Sequence, residues 1–179
     1  MHGMIFAELK RFVDEGQGPG VWDTLLRESG IGAKIYLTME VYPDEELVRL
    51  ARTASALTGS PLGDILEAFG EFLAPTYFKL YGHLIKPEWR TLDVIEHTEQ
   101  SIHRVVRIKN PGARPPELRC IRVSFAEVLL IYNSSRRMCA VAKGIARGLA
   151  THFSENIRIS EATCMLRGAA DCRITIKLA

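Results

Sequence analysis

Tyr132, Ser134 and Arg136 stand two residues apart from one another. On an extended segment that spacing turns all three side chains to one face, where a phenol, an alcohol and a guanidinium meet the same object. Arginine takes a carboxylate in a two-pronged fork, and each hydroxyl adds a hydrogen bond. The chemistry on offer is capture of a carboxylate-bearing anion where a strand gives way to a helix. A second candidate is His103, flanked by Ile102, Val105 and Val106 on a helical stretch. A histidine in such a setting is usually a packed or surface side chain, so it needs a second signal to count as a site. Twelve and thirteen residues further on, Pro115 and Pro116 stiffen the backbone before the next strand. Sulfur makes a third group. Cys164 and Cys172 flank a turn at Gly168-Ala169-Ala170-Asp171, so a hairpin would set them side by side at the end of a sheet. Cys139 opens a helix that can face the same end. Three thiolates and a fourth ligand make a tetrahedral zinc site, and two of them suffice for a disulfide switch. Cys120, between Arg119 and Ile121 in a strand, reads as a small buried hydrophobe.

These groups need elements to hold them. Ile5, Leu9, Phe12 and Val13 recur at helical spacing, and Gly16, Gly18, Pro19 and Gly20 end that helix. Val21 to Glu28 makes a short second helix closed by Gly30, and residues 35–42 form a β-prone patch. Pro43 followed by Asp44, Glu45 and Glu46 is a helix start, with acids set against the dipole. That helix runs to about Leu57 and stops at Thr58-Gly59. Ser60-Pro61 opens the next, which carries Ile65, Phe69, Phe72 and Leu73 on one side and reaches about Gly82. A further helix spans about Leu92 to Ile108 and stops at Asn110-Pro111-Gly112. The period then changes. Residues 118–133 predict two strands with a turn near Ala126-Glu127, residues 136–152 a helix, and the alternations at Ile157 and Ile159 and at Ile174, Ile176 and Leu178 two more strands. The expected class is α+β: a helical N-terminal subdomain followed by a C-terminal antiparallel sheet with a helix.

The totals agree and remove other classes. With 179 residues the chain is expected to be a single domain. Its composition, 47% hydrophobic and 25% charged, excludes a disordered or collagen-like chain. A net charge of +2 leaves no basic footprint for nucleic acid. No apolar run approaches the ~18 residues of a membrane span, and the charged residues within MHGMIFAELKRFV exclude a signal peptide. Four cysteines without an export signal point to the reducing cytoplasm. No nucleophile–base pair or phosphate-binding glycine loop stands out, so no enzyme is expected. Gly16-Gln17-Gly18-Pro19-Gly20 follows a helix rather than the strand that a dinucleotide fingerprint requires.

Taken together the motifs resemble the H-NOX family, the bacterial heme nitric oxide/oxygen-binding domains related to the heme domain of soluble guanylate cyclase. The opening MHGMIF, the segments VWDTLLRESG and YPDEELVRLARTASALTGSPLGDILEAFG, the His103…Pro116 spacing, the run PGARPPELRC and the Tyr132-x-Ser134-x-Arg136 triplet carry the likeness. It covers essentially residues 1–179. It implies a distal helical subdomain over about 1–60, a proximal subdomain with the sheet over about 61–179, and a heme b between them.

The resemblance also implies roles. His103 would be the proximal ligand of the heme iron. Tyr132, Ser134 and Arg136 would bind the propionates, and Pro116 would press on the porphyrin and distort it. The positions at which oxygen-binding members carry a distal Tyr, Trp and Asn fall at Val141, Leu9 and Leu73, with Ile5 and Ile145 at two apolar contacts. All five are hydrocarbon, so the expectation is a nitric oxide sensor that excludes O2, with CO as a further gas ligand. NO would weaken the Fe–His103 bond, and a separate partner would read the change: a histidine kinase, or a diguanylate cyclase or phosphodiesterase of cyclic-di-GMP signalling. Some members hold zinc with three Cys and one His, and Glu161 stands here where that His would be. Cys139, Glu161, Cys164 and Cys172 therefore stay open to zinc, to a redox pair, or to no metal. A cysteine or zinc redox sensor with heme secondary is the alternative function.

Overall fold

The structure is a computed structural model that describes residues 1–110 and 112–179. Pro111, part of the expected helix stop and of the PGARPPELRC run, lies outside the described residues. The chain divides into two compact units, Met1–Phe69 and Gly70–Ala179. The division falls inside the helix that runs from Leu62 to Tyr81.

In the first unit each apolar stripe becomes the buried face of a helix. Helix α1 (Gly3–Gln17) buries Phe6, Leu9 and Val13. It starts at His2, whose ring accepts the Met4 N–H, and ends at Gly18, where φ is 90° and a side chain would be strained. Helix α2 (Val21–Glu28) buries Trp22, Leu25 and Leu26. Helix α3 (Asp44–Thr58) begins with three acids in its first turn and buries Leu47, Leu50 and Ala51. The β-prone patch at 35–42 does not become a strand. Its pairing is one isolated bridge, between His2 and Val41. The alternation is real, with Ile35 (84% exposed) and Met39 (81%) facing solvent, but the inward residues are rings. Tyr36 stacks on Phe6 at 4.1 Å, and Tyr42 meets Phe6 edge-on at 5.6 Å. Aromatic packing on α1 holds this segment as a loop.

Helix α4 (Leu62–Tyr81) runs through Pro75 and ends in a 3-10 turn at Gly82–Leu84. Helix α5 (Thr91–Thr98) starts where the Arg90 N–H donates to Asp93 Oδ2 at 2.9 Å. A π-helical turn, Glu99–His103, interrupts the helix expected over 92–108, and helix α6 (Arg104–Lys109) completes it. Strands β1 (Glu117–Ser124) and β2 (Glu127–Asn133) form the first hairpin, turning at Phe125-Ala126, one residue earlier than expected. Helix α7 (Cys139–His152) follows, then β3 (Ile157–Thr163), a 3-10 turn at Met165–Arg167, and β4 (Cys172–Leu178).

The sheet has the order β1-β2-β4-β3, antiparallel throughout. The period of two puts Val128, Leu130, Tyr132, Cys172, Ile174 and Ile176 on one buried face. Leu92, Val94 and Ile95 of α5 and Ala146 and Leu149 of α7 complete that core. Ile174 and Ile176 are fully buried, each worth roughly 1.5–3 kcal/mol relative to exposure. Arg122 on β1 is bound by Asp93 and Glu96 of α5, at 2.5 and 2.7 Å.

Candidate functional site

His103 is the last residue of the π-helical turn, and its side chain is only 14% exposed. Its Nδ1 lies 2.9 Å from Glu99 Oε2. The same oxygen accepts the Leu118 N–H at 3.2 Å, and Oε1 accepts from the Arg107 guanidinium. Burial lowers the His103 pKa, and the pull of Glu99 only partly offsets it, so the ring is neutral at pH 7. Burial opposes ionisation of Glu99, but bonds from Arg107 and His103 hold it below the ordinary carboxylate range. The backbone of Pro116 lies close to the His103 ring, so these two residues, thirteen apart in sequence, are neighbours.

The anion triplet is assembled differently from the sequence expectation. Only Tyr132 lies on a strand, since β2 ends at Asn133 and α7 starts at Cys139 rather than 136. Residues 134–137 form a turn, with Arg137 at φ 53°. One extended face therefore does not carry the three groups. The turn does the gathering: Ser134 Oγ accepts the Arg136 N–H at 3.3 Å and also bonds the Tyr132 hydroxyl. The buried Tyr132 hydroxyl accepts the Met138 N–H at 3.2 Å, and burial pushes its pKa up, so it stays a neutral donor. Arg136 donates to the Arg114 carbonyl, on the same loop as Pro116. A buried neutral imidazole, two hydroxyls and a guanidinium around one loop are the donor set that a metal porphyrin with two carboxylates needs.

Of the five apolar pocket positions, Ile5 and Leu9 lie on α1 in the first unit; Leu73 on α4 and Val141 and Ile145 on α7 lie in the second. Leu9 and Leu73 are buried, and the other three are half-buried.

The sulfurs converge. One ligand atom from each of Cys139, Glu161, Cys164 and Cys172 lies within 4.8 Å of the others. Cys164 Sγ is 3.7 Å from Cys139 Sγ and 3.9 Å from Cys172 Sγ, and all are free thiols. Two ligands on a tetrahedral zinc with bonds of ~2.3 Å stand ~3.8 Å apart. Glu161 Oε1 is buried without a hydrogen-bond partner, while Oε2 faces Arg167 at 3.4 Å and Lys143 at 4.0 Å. Burial pushes the Cys139 and Cys172 thiols up, which favours their protonated forms. Glu99 was not singled out in the sequence. Its position four residues before His103 was the available signal.

A family model described as Haem-NO-binding matches residues 2–161. The chain belongs to the Haem-NO-binding, or H-NOX, family. H-NOX domains bind heme and sense gases. An H-NOX protein from S. oneidensis in the Fe(II)NO ligation state shares the fold at a TM-score of 0.93, with 27% identity over 100% of this chain and 99% of that one. The Fe(II) unliganded H-NOX protein from K. algicida, 22% identical over 100% of this chain and 97% of that one, shares the fold at 0.89. Two curated relatives are soluble guanylate cyclases: 89Da of Drosophila melanogaster, 22% identical over 76% of this chain and 20% of that protein, and gcy-35 of Caenorhabditis elegans, 24% identical over 84% and 22%. This H-NOX chain thus spans about a fifth of their length. Among the described residues no helix is long and apolar enough to cross a membrane.

Proposed function

We propose that this H-NOX domain is a nitric oxide sensor that holds a ferrous heme b through His103 and excludes O2. The observation that carries the reading is the environment of His103: buried, neutral, and tied at Nδ1, with one ring nitrogen left over. A bound heme supplies an iron with an open position for a diatomic gas. Arg136, Tyr132 and Ser134 bind its propionates, with Arg136 already oriented by the Arg114 carbonyl. Pro116, against the His103 ring, bears on the porphyrin. Val141, Leu9 and Leu73 have no hydrogen-bond donor for a polar oxygen adduct, and Ile5 and Ile145 keep the surroundings apolar. NO and CO need less help of this kind than O2. With heme bound, His103 would hold the iron, NO would weaken that hold, and the helix that carries His103 would lose its tether. Such a ligand-biased two-state element is what a separate cytoplasmic partner can read. A histidine kinase and a cyclic-di-GMP cyclase or phosphodiesterase are the candidates, and the chain itself acts as sensor rather than catalyst.

The test is the visible spectrum of the reduced, heme-loaded chain alone, in air and with NO, beside a His103→Gly variant with and without free imidazole. A five-coordinate spectrum indifferent to air, converted by NO to a five-coordinate nitrosyl form, is expected. The variant should lose the unliganded spectrum and regain it with imidazole. A stable oxy spectrum in air would overturn the exclusion of O2, and an unchanged His103→Gly spectrum would overturn the ligand.

A specific observation supports a second role. The sulfur separations around Cys164 match shared zinc ligation, and the unpartnered Glu161 Oε1 supplies a fourth ligand. Bound zinc would brace α7 against β4; lost zinc would leave thiols close enough to oxidise.

A further inference from the structure

We infer that Glu99 is a positioning residue for the iron ligand: its carboxylate fixes the orientation and tautomer of the His103 ring and ties that ring to the start of the sheet. The inference rests on the reading of His103 as the heme ligand. Glu99 and His103 are the first and last residues of the π-helical turn, the kind of local irregularity that re-aims side chains at functional sites. Three donors from three places converge on this one carboxylate. His103 Nδ1 lies 2.9 Å from Oε2, the Leu118 N–H of β1 reaches the same oxygen at 3.2 Å, and Arg107 of α6 takes Oε1.

Each contact has a consequence. An ionised carboxylate can only accept, so the proton between it and Nδ1 belongs to the ring. The tautomer is thereby settled, and Nε2 is left to the metal. A carboxylate behind an imidazole makes it a stronger electron donor toward a bound metal. Arg107 and Leu118 keep the carboxylate from turning away, so the ring is oriented from behind. The link continues across the sheet, because Leu118 is the register partner of Tyr132. A chain of direct contacts therefore joins His103, Glu99 and Leu118 to the tyrosine of the anion triplet. A surface Glu–His pair of the ordinary i,i+4 kind contributes little and would leave the iron unaffected. The burial of His103 and the backbone donor on the carboxylate set this pair apart.

The test uses the heme-loaded ferrous chain and its Glu99→Ala and Glu99→Gln variants. Resonance Raman reads the Fe–His stretching frequency, and transfer to excess apomyoglobin reads heme loss. Glu99→Ala should lower the frequency and speed heme loss by about 10–100-fold, the usual cost of removing such a partner. Glu99→Gln keeps an acceptor for Nδ1–H without the charge, so it should fold as the parent does and fall between. If wild type shows an Fe–His band and both variants match it in frequency and heme loss, the positioning role is overturned while His103 stands. If wild type lacks that band and His103→Gly leaves the heme spectrum unchanged, the failure lies with His103 itself.

Discussion

Gly70 on α4 lies so close to α7 that a Cβ added to it would stand 2.2 Å from the carbonyl oxygen of Val141. Gly148 repeats the relationship, with the Ala74 methyl 2.4 Å from its own added Cβ. The backbone of one proposed gas-pocket residue is thus packed against a neighbouring helix with no room for a methyl group. Gly70→Ala gains about 1 kcal/mol of helix propensity. Overpacking of this kind costs about 1–3 kcal/mol, and a rigid backbone atom cannot yield as a side chain can. Net destabilisation should lower Tm by a few degrees, at about 2–4 °C per kcal/mol for a chain of this size. Thermal unfolding of the variant checks this, and an unchanged or raised Tm would show that α4 and α7 can slide apart freely.

Val141 is also the position where a hydrogen-bond donor should change the gas. A Val141→Tyr variant places a hydroxyl at the position that the family resemblance assigns to a distal tyrosine. The ferrous variant in air should show a persistent oxy spectrum that the parent lacks. If parent and variant give the same spectrum in air, the carry-over of the distal position to residue 141 is wrong.

Zinc should be decided by Glu161. Imidazole binds zinc well, so Glu161→His completes a three-Cys, one-His set and should tighten zinc about 10-fold, or about 1.4 kcal/mol. Cys164→Ala, which removes the sulfur nearest both others, should abolish binding. Competition with a chromophoric chelator measures both, under reductant. Stoichiometric zinc on the Cys164→Ala chain would place the metal elsewhere.

Stability of the metal-free chain should fall in alkali, partly through Cys120. Burial raises this thiol from 9.0 to about 11, and Glu96 adds to the shift. The folded form thus favours the protonated thiol. Its contribution is complete below pH 9, is lost progressively up to about pH 11, and has the sign of a raised acid pKa. Urea unfolding from pH 7 to 11 should show a decline that Cys120→Ala makes shallower. Parallel curves for the two proteins would exclude Cys120 as a source.

Much of the fold was legible because it is written in local periodicity. Leu9, Val13, Leu25, Leu47 and Leu50 fall at helical spacing, and each is buried on a helix. Val128, Leu130, Ile174 and Ile176 alternate, and each faces the core from a strand. The order of His103, Pro116 and Tyr132-x-Ser134-x-Arg136 carried the family, because these residues lie at set intervals along one chain. Residues 35–42 also alternate, yet a strand needs a neighbour to take its backbone hydrogen bonds, and the rings of Tyr36 and Tyr42 found Phe6 instead.

The site groups depended on distance through space. Cys139, Glu161, Cys164 and Cys172 come from a helix, a strand, a turn and another strand, and the packing of α7 on the sheet sets the gaps between their three sulfurs and one carboxylate. The triplet closes through a turn at 134–137, which spacing along the chain could not distinguish from an extended face. Glu99 becomes a partner of the sheet only through a bond to Leu118, nineteen residues away. The residue types and their local faces follow from the sequence because sterics and burial act over a few residues. Which donor meets which acceptor follows from the fold, because hydrogen bonds hold only over about 3 Å, and only tertiary packing brings distant residues that close.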